Sequence, residues 1–252
     1  KTPEAVTVYC CMTVSTPVSL PGAPAIGADV RETDDTFFHV FDFQFTDGKP
    51  YDEATFTAGR PVAVITESIS RALFGSIQSV GKEFLLSHAP YRVVGVVKDV
   101  STLADMAYGQ VWIPFTSTNP SNDTWSDNHM GMMSVTLLAH DREDFDEIRA
   151  EAKRRMNEYN SILADQGYTL IDRNRPYDQE TQSISFAANL EPDLKAARRE
   201  RVIIFIILLL VPAINLSSMT QSRLRQRVAE MGVRRAFGST CIEMVGQIVM
   251  EN

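Results

Sequence analysis

One short stretch of the chain concentrates the side chains that could bind a soft metal ion. An indole, an imidazole and three thioethers lie within nine residues, from Trp125, His129, Met130, Met132 and Met133. Thioether sulfur and imidazole nitrogen are ligands that Cu(I) accepts. The same residues fit a simpler interpretation, in which Met132 and Met133 begin a packed strand and the others form an exposed loop. Because their spacing does not force the ligands to converge, we expect no resident metal and no cofactor.

Residue types that commonly perform catalysis are scattered along the rest of the chain. The histidines at positions 39, 88, 129 and 140 fall on different predicted elements. The sequence contains no H-E-x-x-H, G-x-S-x-G or G-x-x-x-x-G-K-[ST] pattern, so the common zinc-protease, serine-hydrolase and nucleotide-binding signatures are missing. Gly81-Lys82 lacks the upstream glycine spacing and the following hydroxyl of a phosphate-binding loop. We expect a non-catalytic chain without an ATPase of its own.

Cysteine usage gives no metal or disulfide framework. Of the three cysteines, Cys10 and Cys11 are adjacent and Cys241 lies far along the chain, without C-x-x-C spacing. Neighbouring residues of a strand face opposite sides, which is the interpretation we adopt for Cys10 and Cys11. The alternative is a strained vicinal disulfide, which would need an oxidising compartment.

The chain contains one long apolar segment, which determines where the rest of the chain can lie. Val202–Met219 has 18 residues, which as a helix would measure about 27 Å, close to the ~30 Å hydrocarbon thickness of a bilayer. Its first ten residues leave no polar face for water, which argues against a core helix of a soluble protein. Pro212 and Asn215 interrupt the segment, but membrane helices tolerate both. We therefore predict a transmembrane helix.

Charge divides the chain at the same place. Residues 1–198 contain 17 Lys+Arg and 28 Asp+Glu, whereas residues 199–252 contain 7 and 4. The acidic domain has no basic stripe, which argues against nucleic acid as a partner. The basic end suits phospholipid headgroups. Basic residues flank the apolar segment on both sides, so the positive-inside rule leaves its orientation open; they are Lys195, Arg198, Arg199 and Arg201 before it, and Arg223, Arg225, Arg227, Arg234 and Arg235 after it.

The acidic domain, residues 1–198, is predicted to have two lobes. The first, about 1–116, is rich in strand signals. We predict strands at Ala5–Val14, Pro61–Ile65, Glu83–Leu86, Tyr91–Val97 and Val111–Phe115, and a loop at Pro17–Pro24. Thr66 is a suitable N-cap and Gly75 a suitable C-terminal cap for the one clear helix of this lobe.

The second lobe, about 132–190, follows a polar, turn-rich stretch at 117–131 that we interpret as a linker or mobile loop. It shows a strand–helix–strand pattern at Ser134–Ala139, Asp141–Leu163 and Tyr168–Ile171. The predicted fold is α+β, with mixed or antiparallel sheets and ferredoxin-like βαβ elements. A stalk helix from Glu191 leads into residues 199–219, which contain the end of the stalk and the transmembrane helix. Residues 220–252 are predicted to contain a cytoplasmic amphipathic coupling helix and the start of the next membrane segment.

Two separate motifs resemble one family. Residues 61–100, PVAVITESISRALFGSIQSVGKEFLLSHAPYRVVGVVKDV, are similar to the extracytoplasmic core domain of MacB/FtsX-type ABC-transporter permeases. Residues 223–240, RLRQRVAEMGVRRAFGST, resemble the segment that follows the second transmembrane helix of the same permeases. The order of the motifs implies that the chain runs from just after the first transmembrane helix to the start of the third. Ser70, where the family often has a small alanine-like residue, and the polar half of the apolar segment depart from the pattern.

The resemblance implies a bacterial inner-membrane permease subunit with residues 1–198 on the periplasmic side. It implies mechanotransmission: ATP hydrolysis in a separate ABC ATPase subunit moves the outer domain, with export or extraction of a substrate that the sequence does not identify. A second permease copy or a homologous permease, and membrane lipid, are the other implied partners. The residues implied to dock the ATPase are Arg227, Glu230, Met231, Gly232, Arg234, Arg235, Phe237 and Gly238.

Two other functions fit part of the pattern. A single-span receptor or sensor with an extracytoplasmic ligand-binding domain would need a cytoplasmic signalling domain after Asn252, whereas a permease needs further apolar spans there. A membrane-tethered extracytoplasmic enzyme would need a convergent polar pocket, which the sequence does not indicate.

Overall fold

The computed structural model describes residues 3–118, 124–125, 130–185, 190–226, 232–233, 235–238, 240, 242–243 and 246. The chain divides into two compact units, Lys1–Arg154 and Arg155–Asn252. Strands dominate the first unit, and helices dominate the second.

The strands, in chain order, are β1 (Ala5–Cys10), β2 (Val14–Ser19), β3 (Ile26–Thr33), β4 (Phe45–Gly48), β5 (Val62–Thr66), β6 (Glu83–Leu86), β7 (Ala89–Val97), β8 (Val111–Pro114), β9 (Thr124–Trp125), β10 (Met130–Gly131) and β11 (Met133–Leu138). The α-helices are α1 (Phe37–Val40), α2 (Glu53–Thr57), α3 (Glu67–Phe74), α4 (Phe145–Leu163), α5 (Gln179–Ser183) and α6 (Leu194–Gln226). Single 3-10 turns lie at Phe115–Ser117, Arg142–Asp144 and Ala164–Gln166. A mixed sheet with an apolar helix after it confirms the predicted α+β class.

Six strands form a closed circuit of hydrogen-bonded pairs. Antiparallel pairs join β2 to β3, β8 to β5, β7 to β6 and β6 to β2, and parallel pairs join β3 to β8 and β5 to β7. Closure leaves this part of the sheet without a free edge. Outside the circuit, β4 pairs with β7, β1 meets β3 at Tyr9 and Thr33, and β11 pairs antiparallel along the whole of β1.

The core lies on both faces of β5 and β8. Ala63 and Ile65 belong to an apolar cluster with members from all six strands of the circuit, and this cluster fills its interior. Val62 and Val64 face the opposite side, where they join a second cluster rich in aromatic rings, together with Trp112. All five residues of β5 are buried, which explains why this strand is a continuous apolar run and confirms the buried strand predicted at Pro61–Ile65.

Local signals correctly located α3 and the next hairpin. The Thr66 hydroxyl accepts a hydrogen bond from the Ile69 backbone N–H at 3.4 Å, and Gly75 ends the helix in the left-handed conformation, at a φ of +68°. Ser87 and His88 have φ values of +46° and +72° and connect β6 directly to β7. The loop is thus two residues long. A two-residue loop with positive φ values matches the twist of the two strands that it connects.

Two predictions about the start of the chain were wrong. The predicted strand Ala5–Val14 is interrupted between β1 and β2, and β2 continues to Ser19 through the first part of the predicted loop. Proline in a strand normally removes a ladder donor. At Pro17 the missing N–H is not needed, because β6 pairs with β2 only at Val18 and Ser19, and the Pro17 carbonyl still accepts a hydrogen bond from Ser87 N–H at 2.9 Å.

The chain after β8 differs from the prediction in two further places. Within the stretch predicted as a linker, β9 and β10 form a small antiparallel hairpin. The predicted return strand Tyr168–Ile171 is not a strand in the structure. There the side-chain amide of Asn160 on α4 replaces a strand partner: it donates to the Leu170 carbonyl at 2.9 Å and accepts from the Leu170 N–H at 2.7 Å. The lobe boundaries near residues 116 and 132 stay a prediction.

Candidate functional site

The apolar segment belongs to one uninterrupted helix. α6 contains 33 residues, which corresponds to about 50 Å. The most apolar 18-residue window within Leu194–Met219 has a mean hydropathy of 2.5 and contains no buried residue. Among the described residues, this is the one helix long and apolar enough to cross a membrane. Pro212 lies inside the helix without ending it. The predicted stalk and transmembrane helices are therefore one continuous element.

The start of α6 is fixed by acidic side chains. Asp193 caps the helix by accepting a hydrogen bond from Ala196 N–H at 3.0 Å. Glu180 on α5 accepts two hydrogen bonds from the Arg198 guanidinium, at 2.7 and 3.0 Å, and lies 3.7 Å from Arg201. The bond from Arg198 is the main cause that lowers the pKa of Glu180 below its usual value. α5 is thus tied to the first two turns of α6 by a bidentate ion pair.

Four of the predicted ATPase-docking residues lie within the described part of the chain. Gly232 and Arg235 are helical, and they precede a turn at Phe237 and Gly238. Phe237 is 88 % exposed, and Gly238 has a φ of +95°, a backbone conformation that favours glycine. The other four predicted residues, Arg227, Glu230, Met231 and Arg234, lie outside the described residues.

A capping signal after the predicted docking segment was not recognised in the sequence. The Thr240 N–H donates to the Glu243 carboxylate at 2.9 Å, and the Thr240 hydroxyl accepts from Glu243 N–H at 3.4 Å. This reciprocal pair is a capping box, and the pattern T-x-x-E could have been recognised from the sequence alone. Among the described residues, helical geometry is found again at Ile242 and Glu243, after this capping box.

The first family-like motif, residues 61–100, forms scaffold rather than a reactive site. A Cβ atom on Gly95 would lie 2.7 Å from the Lys49 carbonyl oxygen and 2.7 Å from the Phe45 ring, so glycine lets β4 approach β7. Ser70, the departure from the family pattern, donates to the Ser76 carbonyl at 2.7 Å and contacts the Ser79 hydroxyl at 2.7 Å. Both contacts close the loop after α3.

The buried charged groups have structural partners. Arg31 is 1 % exposed, and its guanidinium donates to the carbonyls of Tyr108, Cys10 and Asp105 at 2.6 to 2.8 Å; burial lowers its pKa. The Asp34 carboxylate accepts from the hydroxyl of Thr7 and from two backbone N–H groups, while burial raises its pKa. Burial of Arg31 and Asp34 was not predicted, because nothing in the neighbouring sequence signals it.

The soft-metal cluster is only partly within the described residues. His129 lies outside them, and only the backbone of Trp125 and Met130 is described, as partners in the β9–β10 hairpin. Met133 begins β11 opposite Cys10, and the Met132 carbonyl accepts from Cys11 N–H at 2.7 Å. Cys10 is buried and Cys11 exposed, as expected for neighbours that face opposite sides. Within the described ranges, no group of three His, Cys, Asp or Glu side chains is arranged to hold a metal ion.

Two other histidines, His39 and His140, lie near the carboxylate of Glu4. Glu4 lies 3.8 Å from His39 and 3.5 Å from His140. All three side chains are well exposed to solvent, where ion pairs contribute little. The apparent cluster therefore offers neither a sheltered site nor a group held in position for proton transfer.

The chain is similar to bacterial transporter proteins over most of its length. It is 21 % identical to the ABC transporter permease YknZ of Bacillus subtilis over 232 residues, which cover 89 % of this chain and 52 % of that protein. It is 22 % identical to the macrolide export ATP-binding/permease protein MacB of Escherichia coli O157:H7, with 90 % of this chain and 33 % of that protein covered. The chain thus spans about half the length, or less, of these relatives.

Solved structures of similar domains are also known. The extracellular domain of the noncanonic ABC-type transporter YknZ from Gram-positive bacteria superposes with a TM-score of 0.49 at 17 % identity, over 63 % of this chain and 77 % of that one. The periplasmic region of MacB from Actinobacillus actinomycetemcomitans gives a TM-score of 0.46 at 19 % identity, over 65 % and 69 % of the two chains. Residues 5–155, more than half of the chain, match the model of one family. By that match, the chain belongs to the family of MacB-like periplasmic core domains.

Proposed function

We propose that this chain is the outer domain, one transmembrane helix and the ATPase-docking segment of an ABC-transporter permease subunit. The observation that carries the proposal is the continuity of α6, which follows the family-matched residues 5–155 in the sequence. Without a break, α6 passes through a membrane-length apolar stretch and reaches the basic residues Arg223 and Arg225. A receptor would need only the span. A permease also needs a stiff connection from the span to its energy source.

The energy source is an ABC ATPase on a separate chain. The relative YknZ carries the name of a permease, whereas MacB carries the name of an ATP-binding/permease protein. We assign docking to the segment from Arg227 to Gly238, in which the exposed Phe237 supplies an apolar contact and the arginines pair with acidic groups of the ATPase.

Transmission of force requires stiffness and attachment, not catalytic residues. A helix of 33 residues moves as a rod when its lower end is displaced, and Glu180 attaches α5 to the upper end of that rod through Arg198. The proposed cycle converts ATP hydrolysis into movement of the segment around α5, and from there into export or extraction of a substrate. A second permease copy or a homologous permease completes the assembly.

The proposed location is the bacterial inner membrane, with residues 1–198 in the periplasm. Two single-cysteine variants of the full-length protein test this orientation, in a background without other cysteines. One retains Cys11, which is exposed on the outer domain. The other carries Ser222→Cys, three residues after the apolar helix Leu194–Met219. A membrane-impermeant maleimide is expected to label Cys11 in spheroplasts and to label the cysteine at position 222 only after permeabilisation. The reverse pattern would refute the orientation.

A further inference from the structure

Four cationic side chains crowd the start of α6. Lys195, Arg198, Arg199 and Arg201 all precede Val202, where the uninterrupted apolar run begins. Successive residues of an α-helix are about 100° apart around its axis. Arg198 and Arg201 therefore share one side of α6, and Lys195 and Arg199 share another, roughly a quarter to a third of a turn away.

One of these two sides has an acidic partner within the chain. Glu180 accepts both hydrogen bonds of Arg198 and lies 3.7 Å from Arg201. The carboxylate of Glu180 thus pairs with two of the four cationic side chains. Planar guanidinium groups favour such bidentate pairing with a carboxylate.

The other side keeps its charge. Lys195 and Arg199 are exposed, and neither makes a hydrogen bond or an ion pair with any residue in the described part of the chain. Asp193 is engaged as the helix cap, and Glu200 lies about 100° from Arg199 around the axis. An ammonium and a guanidinium one turn apart thus form a cationic pair open to a ligand.

The position of this pair along α6 matches a lipid headgroup layer. Arg199 precedes the apolar run by three residues and Lys195 by seven, which correspond to about 4.5 and 10 Å. The headgroup region of each leaflet is about 5 to 7 Å thick. Arg199 would lie within that layer, and the long side chain of Lys195 can reach it from outside. Phosphate oxygens are the acceptors that both side chains prefer there.

We propose that Lys195 and Arg199 bind the phosphate of an anionic phospholipid in the outer leaflet, while Glu180 withholds Arg198 and Arg201 from the same lipid. This inference rests on the proposed function, because it requires α6 to span the membrane. The bound headgroup fixes the height of α6 in the bilayer on one side, and the ion pair to α5 fixes it on the other.

The test uses phosphatidylglycerol as the probe. The full-length protein is reconstituted in nanodiscs of phosphatidylcholine with a titrated fraction of phosphatidylglycerol, and the anionic lipid retained per protein is measured by native mass spectrometry. Arg199→Gln is expected to weaken retention about fivefold, since one interfacial cation is worth about 1 kcal/mol, and the double variant with Lys195→Gln more strongly. Added salt is expected to weaken retention by the wild type.

Arg198→Gln is the matched control, because it removes an identical side chain at the adjacent position. It is expected to leave phosphatidylglycerol retention unchanged, whereas Glu180→Gln is expected to increase retention by releasing two arginines. Equal losses in Arg198→Gln and Arg199→Gln would overturn the proposal, as would equal retention of both lipids by the wild type. The cysteine-labelling experiment separates the two claims: if α6 spans the membrane but retains no anionic lipid, only this inference fails.

Discussion

Glu180 of α5 and Arg198 of α6 share a bidentate ion pair, with oxygen–nitrogen distances of 2.7 and 3.0 Å. The pair lies just before the apolar part of α6, and 17 residues separate its two members in sequence. It joins α5 to the upper end of α6. In the proposed function, this contact is where movement of the helix first reaches the outer part of the chain.

The protonation of Glu180 is predicted to report on this contact. The pKa of Glu180 lies below its usual value because Arg198 donates hydrogen bonds to the carboxylate. The ion pair therefore stabilises the folded state at pH values above the unfolded pKa of about 4.3. This stabilisation is lost as the pH falls through the folded pKa. Arg198→Gln is expected to raise the pKa of Glu180, and Arg199→Gln to leave it unchanged. The measurement is a pH titration of 13C-labelled glutamate carboxyls by NMR, with the Glu180 signal assigned from Glu180→Gln.

Gly95 is predicted to be essential for packing of β4 on β7. Gly95→Ala would place a methyl group 2.7 Å from the Lys49 carbonyl oxygen and from the Phe45 ring, and such overpacking costs about 1 to 3 kcal/mol of unfolding free energy. Gly27→Ala in β3 is the matched control, since its methyl group would lie 3.7 Å from the nearest atom, Ser15 Oγ. Urea unfolding of both variants measures the difference. Equal midpoints would show that β4 does not need this close approach.

Arg31 is predicted to hold the chain between β7 and β8 in place. Arg31→Met removes three hydrogen bonds and leaves the carbonyls of Cys10, Asp105 and Tyr108 without this donor. The expected loss is about 3 kcal/mol or more of unfolding free energy. Arg60→Met, at an exposed position, is expected to change it by less than about 0.5 kcal/mol. Thermal unfolding of the two variants compares them, and similar melting temperatures would contradict the role of Arg31.

The docking segment is predicted to affect ATPase coupling without affecting the fold of the outer domain. Gly232→Trp places a large ring within the segment, and Glu230→Arg reverses a charge in it. Both variants are expected to lose stimulation of the partner ATPase, because they alter the surface that docks on it. The melting temperature of the outer domain is expected to stay unchanged in both. Normal ATPase stimulation in both variants would remove the assignment of this segment.

Elements coded by neighbouring residues could be predicted from the sequence. Thr66 and Gly75 delimit α3 through contacts within one or two turns, and the apolar run of β5 follows from burial on both of its faces. The apolar composition of α6 can be read from its own residues, without knowing what the helix contacts. In each case the physical cause of the structure lies within a few residues of its effect.

Contacts between distant residues could not be predicted. The strand circuit closes through a parallel pairing of Val30 with Val111, which no local periodicity encodes. Burial of Arg31 depends on carbonyls more than 70 residues away, and a basic residue in a strand is ordinarily an exposed one. The pairing of Glu180 with Arg198 depends likewise on how the chain between α5 and α6 folds back.

The most direct test of the proposed function is to ask whether an ABC ATPase co-purifies with the protein. The tagged full-length protein is purified from its native membrane in a mild detergent, and the accompanying chains are identified by mass spectrometry. The proposed function predicts an ABC ATPase in stoichiometric amount. The ATPase is expected to be lost when Glu230 and Arg234 are charge-reversed, and retained when the exposed outer-domain residues Glu53 and Arg60 are charge-reversed instead. Absence of any ABC ATPase, under conditions that preserve other membrane complexes, would refute the permease function and favour a single-span receptor.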